Sequence, residues 1–280
     1  MRADLVKILY DKLSDLDLDD FKAIYVKNTP PTLIKFFNGS YKQDGSNIYL
    51  DSIKNNQLWA SSPDEFNDPF DCAYNIGSNI DINKLKEQKR LFLETNSIKN
   101  NFVDSRMDLI IQKILTNNLK SFVCCFSEKD NLKNSVMWAH YSNCHKGFCV
   151  EYDTVSLQEK QNYVFPVKYE KDIDFFPNHI FFSDDAVRIL NYYSFVMPYL
   201  KDSHWNYECE WRVLSTKANE DEKGHLIDVN TPKAIYIGVR ASHQLKEDLK
   251  KICSNQKIEL YQMRMKPNSF ELIDEKVDIN

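Results

Sequence analysis

The chain has 280 residues, 42% of them apolar and 28% charged, proportions that allow a sizeable buried core and are ordinary for a globular protein. Its formal net charge of −5 argues against broad, non-specific nucleic-acid binding, which needs a basic surface, but leaves room for one small basic pocket. It contains no run of about 18 apolar residues, so no membrane span is expected.

The first stretch, "MRADLVKILYDKLSDLDLDD", mixes apolar and charged residues at helical spacing. Leu5, Ile8, Leu9 and Leu13 fall on one stripe, which predicts an amphipathic helix over residues 2–14. It lacks the continuous apolar centre of a signal peptide, so a cytoplasmic protein is expected. "NTPP" breaks the pattern, and "TLIKFF" reads as a short strand. "IYLDSIKNN" reads as a helix and "QLWAS" as a strand. In "SPDEFNDPFD", Ser62, Pro63 and Glu65 form a capping-box pattern that starts a short helical turn. Residues 80–120 are rich in helix formers and predict a helical insertion beside a sheet. "SFVCCFS" is a buried strand. "LKNSVMWAHYSNCHKG" contains a helix that Gly147 is expected to close. "FCVEYD" and "VFPVKYEKD" are strands, and residues 184–200 read as a helix. The last part, "AIYIGVR", "SHQLKEDLKKICSN" and "KIELYQMRM", has a strand–helix–strand rhythm. No repeat or low-complexity linker interrupts this order. The simplest organisation is one α+β domain over residues 1–280, with a central mixed or antiparallel sheet and the 80–120 insertion.

Seven cysteines without a C-x-x-C point to reduced thiols. Cys72, Cys144, Cys149 and His145 lack the paired spacing of a zinc site, so no metal is expected. Glycine is scarce, at six residues, and neither a dinucleotide-binding glycine turn nor a P-loop occurs. Any nucleotide would have to be held by side chains.

Three stretches carry candidate chemistry. In "EFNDPFD", Asn67, Asp68 and Asp71 crowd a proline turn, where such residues commonly bond their own backbone and where they could also meet a ligand. In "CFSEKDN…VMWAHYSNCHKGF", Ser127 ends a strand, while Trp138, His140 and Tyr141 share a helix. Trp and Tyr there read first as core, and His140 is a candidate acid or base. The third stretch is "WNYECEWRV", residues 205–213. Read as one strand, it puts Trp205, Tyr207, Cys209, Trp211 and Val213 on one face and Asn206, Glu208, Glu210 and Arg212 on the other. The polar face is either wet or it lines a site. Two neighbouring carboxylates and an arginine are a device for setting which acid stays ionised.

In order along the chain, "LWASSPDEFNDPFD", "VCCFSEKDN…MWAHYSNCHKGFCVEYD" and "WNYECEWRV…IYIGVRAS" resemble the successive signatures of a bacterial family catalogued as domain of unknown function 2971, over about residues 33–265. Glu208-Cys209-Glu210 is in addition similar to the E-x-E motif of ADP-ribosyltransferases. Those enzymes place a basic or aromatic residue on an early strand, a serine or tyrosine on a middle one and the glutamate on a late one. Lys35, Ser127 and Glu210 follow that order, although Arg or His is usual at the first position and S-T-S at the second. This resemblance implies a split sheet, NAD as substrate and a role as toxin or antiviral defence effector, with a protein, a nucleic acid or water as acceptor. Glu210 would stabilise a cationic sugar and Glu208 would activate the acceptor. Lys35 would hold the diphosphate, and Tyr141 or Trp138 would stack on the nicotinamide. Ser127, His140, Arg212, Asn67 and Asp68 would complete the site. Two other classes remain open at this point. One is a metal-dependent hydrolase or nuclease using Asp68, Asp71, Glu208 and Glu210. The other is a non-catalytic nucleotide-binding module.

Overall fold

The computed structural model describes residues 28–72, 87, 90–91, 121–161, 164–172, 197–216 and 223–279. The expected helix over 2–14 and nearly all of the 80–120 insertion lie outside the described residues. So does most of the expected 184–200 helix, whose end instead forms a 3₁₀ turn, Met197–Tyr199, leading into a strand.

Ten of the twelve described strands form one mixed sheet, so the α+β expectation holds. Its main path runs β12 (Leu272–Lys276), β11 (Glu259–Met265), β10 (Ala234–Ile237), β4 (Phe148–Asp153), β1 (Thr32–Phe37), β3 (Ser121–Glu128), β2 (Gln57–Ser61) and β9 (Gly224–Asp228). A branch adds β8 (Glu210–Thr216) to β3 and β5 (Phe165–Pro166) to β8. A separate parallel pair joins β6 (Lys168–Glu170) to β7 (Leu200–Asp202). Within the large sheet β10 and β11 run parallel, and the other pairings are antiparallel.

Helices α1 (Ile48–Lys54), α3 (Thr154–Gln161) and α4 (His243–Gln256) supply Leu50, Ile53, Leu157, Leu245, Leu249 and Ile252 to the main core. They meet Phe122, Cys124, Phe126, Phe148, Val150, Trp211 and Val213 of the sheet. Asn47 caps α1 by accepting from the Tyr49 and Leu50 amides. Ser242 caps α4 by accepting from the Leu245 amide, and Leu245, Leu249 and Ile252 recur at helical spacing. The expected parallel strand–helix–strand unit is therefore β10–α4–β11. Helix α2 (Ser135–Tyr141) packs on the opposite face, where Trp138 meets Ile34, Cys149 and Tyr236.

Several sequence expectations change. Ser62 does not close a capping box: its hydroxyl bonds Asp64, and residues 63–65 form a single 3₁₀ turn. Gly147 does not end α2, which stops at Tyr141 and is followed by Asn143, Cys144 and His145 with positive φ. "VFPVKYEKD" breaks into the two short strands β5 and β6. The strand expected over 205–213 begins only at Glu210, because residues 203–208 form a 3₁₀ turn and Cys209 is left-handed at φ 45°. No helix among the described residues is long and apolar enough to cross a membrane.

Candidate functional site

The branch in the sheet creates the site. Strand β8 follows one side of β3 along its length, from Ser121↔Thr216 to Ser127↔Glu210. The other side of β3 is shared. Strand β1 pairs only with its end, at Ile34↔Ser127 and Leu33↔Glu128, and β2 only at Ser61↔Val123. Between these two pairings the sheet splits, and a cleft of about 420 Å³ opens there. Lys35 reaches into the split and donates from Nζ to the Cys125 carbonyl at 3.0 Å.

The floor of the cleft is a buried ion network. Alternation along β8 sends Trp211 and Val213 into the core and keeps Glu210 and Arg212 on the opposite face, beside Ser127 and Cys125. Arg212 is fully buried. Its Nε donates to Glu210 Oε1 at 2.7 Å, and one terminal nitrogen donates to Asp71 Oδ1 at 2.6 Å and to Glu210 Oε2 at 3.0 Å. Its other terminal nitrogen donates to the Pro198 carbonyl at 2.5 Å. Lys201, at the centre of β7, places Nζ 2.6 Å from Glu208 Oε2, 2.8 Å from Glu210 Oε2 and 3.2 Å from Asp71 Oδ2. Tyr141, from α2, donates its hydroxyl to Glu208 Oε1.

Local structure explains how Glu208 reaches this network without being on the strand. Asp202 caps the 203–208 turn by accepting from the His204 amide at 2.8 Å. The left-handed Cys209 then reverses the chain so that Glu208 and Glu210 both face Lys201. Asn131 fixes the turn from below, donating to the Tyr207 carbonyl at 2.9 Å and the Glu208 carbonyl at 2.6 Å. Ser127 donates its hydroxyl to the same Glu208 carbonyl.

The two glutamates are pushed apart electrically. Burial opposes the ionisation of Glu210, but Arg212 and Lys201 in direct contact overcome it and hold its carboxyl well below the usual carboxylate range. For Glu208 burial prevails: together with the neighbouring Glu210 charge it raises the carboxyl above its ordinary value, against the pull of Lys201 and Tyr141. Burial also works against a charged Lys201, and the carboxylates of Glu210, Asp71 and Glu208 more than compensate, so it stays protonated. Neighbouring acids with opposed shifts form a unit in which one remains ionised and the other can exchange a proton.

The cleft gathers Lys35, Asn67, Ser127, His140, Tyr141, Glu208 and Glu210 of the expected residues. Three others, Trp138, Asp68 and Arg212, do not line it. Trp138 is fully buried in the core with its indole nitrogen bound to the Leu132 carbonyl, so its ring cannot stack on a ligand. Asp68 accepts from the Phe70 amide at 2.9 Å, the turn chemistry its neighbourhood favours. Arg212 lies beneath the cleft as the partner of Glu210 and Asp71. Ser127 lines the cleft, but its hydroxyl is spent on the Glu208 carbonyl and on Asn131. His140 is exposed at the rim, with Nδ1 3.1 Å from the Tyr207 hydroxyl. The residue that sequence reasoning missed is Lys201. It belongs to no motif, and its one signal is a charge balance: buried Glu208, Glu210 and Asp71 need more than Arg212 to offset them.

Over residues 137–213 the chain matches the family described as protein of unknown function, DUF2971. This is narrower than the span of about 33–265 read from the sequence. The DUF2971 match carries Tyr141, Lys201, Glu208, Glu210 and Arg212, most of the network. The cleft walls on β1, β2 and β3 precede it. Comparisons with curated proteins and with solved structures find no match.

Proposed function

We propose that the chain is a cytoplasmic NAD-consuming enzyme of the ADP-ribosyltransferase-like kind, working in the cleft at the sheet split. The observation that carries this reading is the lateral row of Ile34, Ser127 and Glu210 on three adjacent strands, with Lys35 and Glu208 opening onto the same cleft. This supports the early, middle and late strand order implied by the E-x-E resemblance, with Lys35, the neighbour of Ile34, as the early residue.

The chemistry follows from charge. Cleaving the bond from nicotinamide to ribose sends the bonding electron pair out with the neutral ring and leaves an oxocarbenium-like sugar. Among the described residues the cations paired with Asp71, Glu208 and Glu210 are Lys201 and Arg212, so with all five ionised this group carries one excess negative charge to set beneath that cationic sugar. Glu210 supplies a fixed part of this field. Glu208, reached from the cleft side by Tyr141, takes the proton of the acceptor hydroxyl or water. An ammonium has three donors, and Lys35 spends one on Cys125, leaving others for a phosphate. Tyr141, not Trp138, is then the ring beside the nicotinamide. Consumption of NAD or modification of a protein or nucleic acid is the chemistry of a toxin or an antiviral effector.

A metal-dependent reading is weaker, because the Lys201 ammonium stands among the three carboxylates where a divalent ion would need to sit. One observation favours a non-catalytic nucleotide-binding module instead: both Glu210 oxygens are already paired with cations. Incubating the purified protein with NAD and following nicotinamide by chromatography separates the three. The enzyme reading expects release that survives a chelator and falls roughly 10²- to 10⁴-fold in Glu208→Gln. Release abolished by the chelator supports the hydrolase, and saturable NAD binding without release supports the module.

A further inference from the structure

The cleft has a second end that this chemistry does not use. Along β3, the β1 pairing at Ser127 and the β2 pairing at Val123 are four residues apart, about 13 Å at the rise of a strand. The Cys125 carbonyl, which holds Lys35, lies midway. At the β2 end stands Trp59, a cleft-lining indole that is 47% exposed.

This indole is seated. Strand β9 faces Trp59 with Leu226 and Ala60 with His225, and Gly224 passes beneath the ring. A Cβ at Gly224 would lie 2.6 Å from two ring atoms of Trp59 and 2.4 Å from the Ala60 carbonyl, so one of the six glycines of the chain is needed for the indole to lie as it does. A large apolar ring held in place and left open to a cleft is a preformed stacking surface. Asn67 lines the same end with a carboxamide, which can pair with the edge of an adenine. Glu65, the acid there, is paired with Lys223 at 3.1 Å, which offsets its charge near an uncharged ring.

We infer that the β2 end of the cleft, with Trp59 as its platform, binds the adenine ring of the nucleotide. The reacting ribose then lies at Glu208 and Ser127, the diphosphate at Lys35 and the adenine at Trp59, in one line along β3. This rests on reading the cleft as a nucleotide site, not on turnover.

The test is calorimetric titration with two probes, 5′-AMP and nicotinamide mononucleotide, on the wild type, Trp59→Leu and Trp59→Phe. Trp59 is half-exposed, so both variants are expected to fold, which circular dichroism verifies. Trp59→Leu should bind AMP roughly ten- to a hundredfold more weakly, Trp59→Phe should lose less, and nicotinamide mononucleotide should bind all three alike. Equal AMP affinity in Trp59→Leu, parallel loss of both probes, or no AMP binding by the wild type would overturn the assignment. If Trp59→Leu loses AMP but the wild type never releases nicotinamide, the enzyme reading fails and the subsite stands.

Discussion

Glu208 and Tyr141 make one proton-handling pair. Burial and the Glu210 charge raise Glu208, while Lys201 on one oxygen and the Tyr141 hydroxyl on the other favour its charged form. A base must be deprotonated to work, so activity should fall as pH drops through the Glu208 pKa, which lies above the ordinary 4.5. Tyr141→Phe removes a hydrogen bond to the carboxylate and leaves Lys201 and Glu210 in place. The pKa then rises further, and the acid limb of the kcat/KM profile for nicotinamide release should move to higher pH. A merely structural tyrosine would lower the rate without moving the limb. An unmoved limb would separate Tyr141 from the proton chemistry.

At the level of elements, the strands with continuous apolar content were legible. β1, β3, β4 and the β10–α4–β11 unit follow from periodicity and caps. The stretch 205–213 alternates throughout but is strand only from Glu210. Its bend has a local part, the Asp202 cap and the left-handed Cys209, and a distant one: Asn131 and Ser127 hold its carbonyls, contacts no local period can reveal. For the same reason the pair Glu208 and Glu210 was legible as chemistry, whereas Lys201 was not, since its meaning lies in its three partners. Gly147 gives a similar lesson and a test. Its glycine requirement was visible, but its cause is close backbone approach and not a helix end. A Cβ there would fall 2.0 Å from the Phe37 carbonyl and 2.6 Å from that of Asn38, at the start of the β1–β4 pairing. Neither oxygen can give way without moving β1. Gly147→Ala should therefore destabilise the fold by about 3 kcal/mol, read as a drop in the thermal unfolding midpoint. An unchanged midpoint would mean that β1 and β4 can separate at little cost.

Across the whole molecule, the ion network ties five parts of the chain to one another: the turn at Asp71, β7 through Lys201, the 203–208 turn, α2 through Tyr141 and β8. Its two glutamates should affect stability in opposite senses. Glu210 is ionised far more readily in the folded chain than its ordinary 4.5, so the unfolded chain binds more protons as pH falls. Its contribution is complete above about 4.5 and is lost as pH drops through the folded value. Glu208 is shifted up, so the folded chain favours its protonated form. That contribution is present below about 4.5 and is lost as pH rises through the raised value. At pH 7, then, Glu210→Gln removes a paired charge from beside Arg212 and Lys201 and should cost about 3–5 kcal/mol. Glu208→Gln relieves a charge that burial resists and should cost clearly less. Below about 4.5 the second relief disappears while the first loss only begins to shrink, so the gap between the two variants should narrow from pH 7 to pH 4. Chemical unfolding of both at pH 7 and pH 4 checks this. Equal losses at pH 7 would mean that the carboxylates are electrically equivalent, and with that the division into a fixed charge and a proton carrier, on which the proposed chemistry depends, would fall.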